Sequence, residues 1–264
     1  MPASPTLYLP GTSPLHRLHP LTKLTFSLAA AVIIFGGPGG WLAAFFPGLL
    51  AMFLLWWAGL AGQAIRLIFR LTNFFAVILF IIHGFFSPEN QTTLLKVGPF
   101  ALGKEGLAFA FLIVIRLAAT LAASLLLVIS THPAHLVQAL AEAGLPYGLA
   151  YLLGSPLLLL PQMAARAQAI QAVQQARGLE TQGNLLQRVR ALFPLVAPLV
   201  FSALVDVEER SLALEVRGFS APNPKTSLNE LPDTQPQRAA RWGMILLAGL
   251  LFVAGIGWKI YGDH

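Results

Sequence analysis

Five runs of apolar residues punctuate the chain, and no aspartate or glutamate falls inside any of them. They are Leu24 to Phe35, Trp41 to Leu60, Leu71 to Phe86, Leu107 to Ile129 and Trp242 to Ile260. A hydrocarbon core about 30 Å thick takes roughly 20 helical residues, fewer where the bilayer thins, so these runs predict transmembrane helices. Gly36 to Gly40 reads GGPGG and breaks the short first run from the second, so the two form a predicted hairpin. Basic residues then set the orientation. Arg17 and Lys23 precede the first run, and Arg66 and Arg70 lie between the second and third; all four belong on the cytosolic side. The loop from Ser87 to Gly106 falls outside, its Lys96 and Lys104 offset by Glu89 and Glu105.

Between the fourth and fifth runs the pattern changes. Thr131 to Arg241 alternates apolar and polar positions at helical spacing and returns to the cytosolic side. Three helical segments are predicted there: His135 to Gly144, Leu157 to Arg177 with Pro161 as a kink or start, and Gln187 to Arg217 with bends at Pro194 and Pro198. Ser220 to Gln237 is rich in Pro, Asn, Ser and Thr and reads as a linker. The fold class is all-α: a polytopic membrane protein with about five transmembrane helices and a cytosolic domain of long amphipathic helices. Its divisions are 1–130 for four membrane helices, 131–220 for the cytosolic helices, 221–241 for the linker and 242–264 for the last membrane helix.

A short phrase recurs in the cytosolic part. It reads QQARGLE at Gln174 to Glu180 and LEVRGFS at Leu214 to Ser220, forty residues later. Each copy closes a helical stretch and places an arginine, Arg177 or Arg217, directly before a glycine. Glycine just past the last helical residue is the common way to stop a helix. Each arginine therefore sits on a helix tip, its donor fork free to meet a carboxylate bidentately. Two such tips look like plugs for acidic sockets on a soluble partner. A lone surface arginine touching a lipid phosphate needs neither the glycine nor the second copy.

Composition supports the membrane reading. The chain is 56% hydrophobic and 11% charged, against about 25% charged in a soluble domain. The net charge of +6 does not point to nucleic acid, because nine of the seventeen Lys and Arg lie between Arg166 and Arg241, beside apolar runs. With no cysteine, disulfides and thiolate metal sites are excluded. The proline-rich, polar start up to Pro20 has no basic-then-apolar leader pattern.

The order of these features resembles the transmembrane T component of energy-coupling factor (ECF) transporters, the vitamin and metal-ion importers of prokaryotes. The resemblance runs over nearly the whole chain and includes SPLHRLHPLTKL at Ser13 to Leu24 and THPAHLVQALAEAGLP at Thr131 to Pro146, besides both arginine-glycine phrases. It implies that the tips Ala176, Arg177, Gly178 and Val216, Arg217, Gly218 dock into grooves on two ABC-type ATPase subunits. It also implies that the apolar flank holds a separate substrate-binding membrane subunit. Valine at 216 replaces the family's commoner alanine, and His19 stands where the family often has an aspartate.

Other candidates read as structural. Arg166 and Arg210 are supporting or lipid-facing charges. Arg116, in mid-span, must face protein or water; pairing with helix-end carbonyls of the same chain is expected ahead of contact with a partner subunit or anchoring of the cytosolic domain. His83, His132 and His135 suggest a metal, but Pro133 intervenes and no third ligand is near, so capping or interface polarity is expected. Glu208 and Glu209 beside Arg210 are helix-face charges. The chain carries no GxxxxGK[ST] loop and no DDxxD pair, so neither ATP hydrolysis nor magnesium-dependent chemistry is expected of it. No catalytic residue, metal or cofactor is assigned. The reading is a non-enzymatic scaffold that couples ATP hydrolysis in partner subunits to uptake by another membrane subunit. The alternatives are a conventional ABC permease and a self-sufficient membrane carrier or enzyme.

Overall fold

The computed structural model describes residues 8–11, 13–86, 92–97, 100–179, 184–221 and 231–261. Residues 87–91 of the expected outer loop, 222–230 of the expected linker, and Glu180 of the first repeated phrase lie outside the described residues. The element order is α1 (Pro14–Arg17), α2 (Pro20–Gly36), α3 (Trp41–Trp57), α4 (Ala61–Phe86), β1 (Thr93–Val97), β2 (Phe100–Gly103), α5 (Lys104–Ser130), α6 (Pro133–Glu142), α7 (Tyr147–Ala176), α8 (Leu185–Val216) and α9 (Gln235–Tyr261). The all-α expectation holds, apart from a two-stranded antiparallel hairpin pairing Val97 with Phe100 and Thr93 with Gly103.

Contacts divide the chain into two units, residues 1–144 with 231–264, and residues 145–230. In the first unit α5 packs against α2, α3 and α4, while α9 and α6 pack on α2. The interior is built mostly of alanine: Ala30, Ala44, Ala51, Ala64, Ala119, Ala122 and Ala123 surround the fully buried Ile34, Leu55, Leu126 and Ile129. The large apolar side chains point the other way, with Phe35, Phe46, Trp56, Phe69 and Phe74 all exposed. That inversion suits a bilayer. Lipid tails solvate Phe and Trp at no cost, and small residues let helices approach closely enough for dispersion and Cα–H contacts to hold them. Among the described residues, four helices are long and apolar enough to cross a membrane: Ala61–Phe86, Lys104–Ser130, Tyr147–Ala176 and Gln235–Trp258. Two more, Pro20–Gly36 and Trp41–Trp57, are apolar but shorter. Tyr147–Ala176, inside the stretch expected on the cytosolic side, qualifies with the lowest mean hydropathy of the four, 1.3.

The N-terminal phrase folds onto the end of α5. The Leu9 amide donates to the Ile129 carbonyl at 3.1 Å. The His16 ring donates to the Leu9 carbonyl at 3.0 Å through Nε2, which leaves Nδ1 to accept from the Ser13 hydroxyl at 2.7 Å. Lys23 is 2% exposed and its ammonium donates to the Ser130 carbonyl at 2.9 Å, so a charge at the start of α2 satisfies the last turn of α5.

His19 caps α2 and ties it to α9. Its Nδ1 accepts from the Leu21 amide at 3.3 Å and from Arg241 at 3.3 Å, and its own amide donates to the Gln237 side chain at 2.9 Å. Arg241 also holds Asp233 at 2.7 Å, and Arg238 holds the same carboxylate at 2.9 Å. Asp233 thus joins His19 indirectly, through Arg241. Burial, reinforced by Arg241 and only partly offset by the Asp233 charge, lowers the His19 pKa. Burial alone would raise the pKa of Asp233, but its hydrogen bonds from Arg241 and Arg238 hold it below the usual carboxylate value.

Two predictions follow from this packing. A Cβ built on Gly255 of α9 would stand 1.8 Å from the Gly36 carbonyl oxygen, a backbone atom that cannot swing aside, whereas one on Gly249 meets nothing within 4 Å. Gly255→Ala should therefore destabilise the protein by ~1–3 kcal/mol, and Gly249→Ala should not, as read by thermal melting in mild detergent. The second prediction concerns pH. Because the His19 pKa is lowered on folding, its contribution is complete above the ordinary histidine value of 6.5 and is lost as pH falls through the folded value. His19→Asn keeps the cap but cannot titrate, so the fall in melting temperature from pH 7.5 to 5.5 (about one unit either side of a free histidine) should flatten. An equally steep fall in the variant would exclude His19 as its source.

Candidate functional site

The two repeated phrases end their helices in the same way, bond for bond. At the end of α7 the Gly178 amide donates to the Gln175 carbonyl at 3.0 Å and the Leu179 amide to the Gln174 carbonyl at 3.0 Å. At the end of α8 the Gly218 amide donates to Glu215 at 2.9 Å and the Phe219 amide to Leu214 at 2.9 Å. Gly178 and Gly218 have φ of 91° and 68°, the left-handed region that a side chain strains. This pair of crossed bonds is the Schellman stop, and it satisfies the helix's orphan carbonyls without outside help. The chain uses the same stop at α3, where Gly59 has φ 75° and donates to Trp56 while Leu60 donates to Leu55. There the capping residue is Ala58. What distinguishes the ends of α7 and α8 is the arginine in that position.

Ala176, Arg177, Gly178, Val216, Arg217 and Gly218 are all exposed, Val216 to 81%. Among the described residues the guanidinium of neither Arg177 nor Arg217 has an ion-pair or hydrogen-bond partner. Behind the second tip the Phe219 ring packs on Tyr151, centroids 5.3 Å apart, fixing the chain as it leaves the helix. The arrangement offers two permanently charged forks, each held on a rigid backbone and open to a carboxylate.

Between these tips, α7 and α8 are cross-linked by polar contacts. Arg166 grips Asp206 with two nitrogens, at 2.7 and 3.3 Å, and reaches the Ser202 carbonyl at 3.5 Å. Arg210 donates to the Gln162 side chain at 2.9 Å. The expectation that Arg166 and Arg210 are supporting charges holds for both. Asp206 was missed: one acid in the charged run DVEER gives no sign of a partner forty residues away.

Other candidates fall elsewhere. The Arg116 Nε is buried and has no hydrogen-bond partner among the described residues, so the expected pairing with helix-end carbonyls is not seen at that atom. His132 caps α6, its Nδ1 accepting from the Ala134 amide at 3.2 Å, as capping requires. His83 bonds the Leu79 carbonyl one turn earlier, at 3.2 Å. In the first unit, an open groove of about 990 Å³ lies between α2, α3 and α9, with Phe26, Ile33, Leu50, Phe53 and Leu247 among its walls and no polar residue. Such walls suit apolar chains rather than an ionic cargo.

The profile of the CbiQ family, described as cobalt transport protein, matches residues 11–228. The energy-coupling factor transporter transmembrane protein EcfT of Brevibacillus brevis is 30% identical over 95% of this chain and 96% of its own length. The proteins of the same name from Exiguobacterium sibiricum and Bacillus subtilis are 29% and 28% identical, each over 93% of this chain and over 96% and 95% of their own lengths.

The stop geometry makes its own prediction. A Cβ on Gly178 would meet nothing within 4 Å, so any penalty for Gly178→Ala comes from the left-handed backbone alone, about 1–2 kcal/mol. Amide exchange at Leu179, whose bond to Gln174 depends on that turn, should speed up accordingly. Gly148→Ala, in open space on the same helix, should leave it unchanged.

Proposed function

This chain belongs to the CbiQ/EcfT family, the transmembrane components of energy-coupling factor transporters, and from that membership we propose that it is the scaffold through which two cytosolic ABC-type ATPases drive a separate substrate-binding membrane subunit in vitamin or metal-ion uptake across a prokaryotic cell membrane. Residues 1–130 and 242–264 anchor it, 131–220 form the cytosolic coupling part, and 221–241 link that part to the last membrane helix.

The observation that carries this reading is the duplicated tip. Arg177 and Arg217 occupy the same position in two matching helix stops, both exposed and both with a guanidinium that has no partner among the described residues. Each guanidinium enters an acidic groove on one ATPase. ATP binding closes the ATPase pair and moves both grooves, the tips follow, and α7 and α8 shear against each other. The outward apolar residues of α8, Val196, Val200, Leu204 and Val207 among them, meet the substrate-binding subunit, which reorients as that face shifts. Bistable helix packing is what turns a small displacement at a tip into such a change. The chain performs no chemistry itself; ATP is hydrolysed by its partners.

Arg177→Ala and Arg217→Ala should each weaken ATPase docking by ~2–5 kcal/mol, the usual loss on truncating one member of a desolvated charge pair. Membrane insertion should be unaffected, since both residues lie at exposed ends. Lysine should restore docking only in part, because a point charge lacks the fork. The test is affinity purification in mild detergent, identifying the co-purifying chains, followed by uptake in reconstituted vesicles. An ATPase that stays bound to the double alanine variant and still drives normal uptake would sink the assignment.

A further inference from the structure

The polar contacts between α7 and α8 share a regularity. Arg166 lies eleven residues before Arg177, and its partner Asp206 lies eleven residues before Arg217. The contact is therefore equidistant from the two tips, about 16 Å along each helix at 1.5 Å per residue. The other contacts run in opposite directions along the two helices: Tyr151 with Phe219, Gln162 with Arg210, Arg166 with Asp206. The helices thus cross antiparallel, and the tips lie on opposite sides of the ion pair. Half-buried positions trace one stripe on each helix, Met163, Arg166, Ala167, Ile170 and Gln174 on α7, and Leu199, Ser202, Ala203, Asp206 and Arg210 on α8. Ala167, Ser202 and Ala203 beside the pair are small enough for close crossing.

The helix-breaking residues are placed one-sidedly. Pro156 and Pro161 of α7, and Pro194 and Pro198 of α8, all precede the pair. From Arg166 to Arg177 and from Asp206 to Arg217 there is no proline and no glycine. Each helix can bend before the pair and is stiff after it.

We infer that Arg166 and Asp206 are positioning residues that pin the crossing of α7 and α8 and so fix the spacing of the two arginine tips. A two-nitrogen, two-oxygen contact sets the orientation of both planar groups as well as their distance. A change in crossing angle about such a pin displaces both tips equally. The purpose of the pin rests on the reading of the tips as docking points; its existence does not.

The chain has no native cysteine, so Ala172→Cys and Leu212→Cys, both exposed and equally far from their tips, can carry spin labels on the full protein in detergent. Pulsed dipolar spectroscopy should give one narrow distance. Asp206→Asn should lose that narrow peak and give a broad distribution, with helix content unchanged. Arg166→Lys, which keeps the charge but not the fork, should broaden it less; it also serves if Asp206→Asn fails to fold. An undiminished narrow peak in a folded variant of either kind would overturn the pin. Arg177→Ala with Arg217→Ala should leave the distance intact while uptake is lost. A narrow peak with normal uptake in that double variant would count against the docking reading alone, and a broadened peak there would count against the pin.

Discussion

The last four carbonyls of any helix have no partner within it, and the way each helix end meets that demand sorts the elements of this protein by role. At the end of α5 the donors come from elsewhere: the Leu9 amide takes the Ile129 carbonyl and the buried Lys23 ammonium takes that of Ser130. That end is locked into the bundle and can offer nothing outward. The ends of α7 and α8 are closed by their own next two amides. A terminus satisfied in this way needs no neighbour, so it can stand exposed and carry a charge. The α3 end shows that the stop is general; with Ala58 in the capping place it only turns the chain towards α4. On the proposed reading, function resides in the side chain that the stop presents.

Much of this was legible in the sequence, for identifiable reasons. The apolar runs without acids could only be membrane helices or a buried core, and the alanine-lined interior with outward Phe and Trp is the membrane solution. The tips were legible because a Schellman stop leaves a local mark, a glycine directly after the capping residue. Features that depend on distant partners left none. Asp206 looked like one acid among several, and Asp233 gave no sign that it would hold the arginine that meets His19. The start of α7 was placed ten residues late, at Leu157 rather than Tyr147. Pro161 reads as a kink or start, yet it and Pro156 both lie inside the helix. Proline removes one donor and crowds the preceding turn, a penalty that helices in apolar surroundings accommodate through neighbouring groups and local adjustment. The hairpin Thr93–Val97 with Phe100–Gly103 was missed because strands of five and four residues are too short for a period to emerge.

The ion pair between α7 and α8 illustrates why strength is the wrong measure of such a contact. Its side chains are 35% and 20% exposed, and partly exposed pairs contribute roughly 0–1 kcal/mol to stability. An apolar pair of similar volume would hold the two helices as firmly. It would also let them slide, because apolar contacts between ridges of alanine are nearly indifferent to a shift of one turn. The bidentate contact is not indifferent: a slip of one turn, about 5.4 Å, leaves both charged groups without partners. Charge is scarce in this protein, and placing it here gives the crossing a single register.

The same argument extends outward along the helices. Beyond the pin the two arms read AQAIQAVQQA and VEERSLALEV, dominated by Ala, Gln, Glu, Leu and Arg, which rank among the better helix formers. Propensity matters little where packing decides the structure, but it matters for a segment that is exposed on most of its faces. These arms have only a narrow contact stripe, so their stiffness must come largely from the backbone itself. A lever that frayed would dissipate a force applied at Arg177 or Arg217 before it reached the crossing. For the coupling role proposed above, stiff arms, a registered crossing and self-closed tips are therefore three parts of one requirement: that a displacement at either end of the pair arrive at the other as motion rather than as local unfolding.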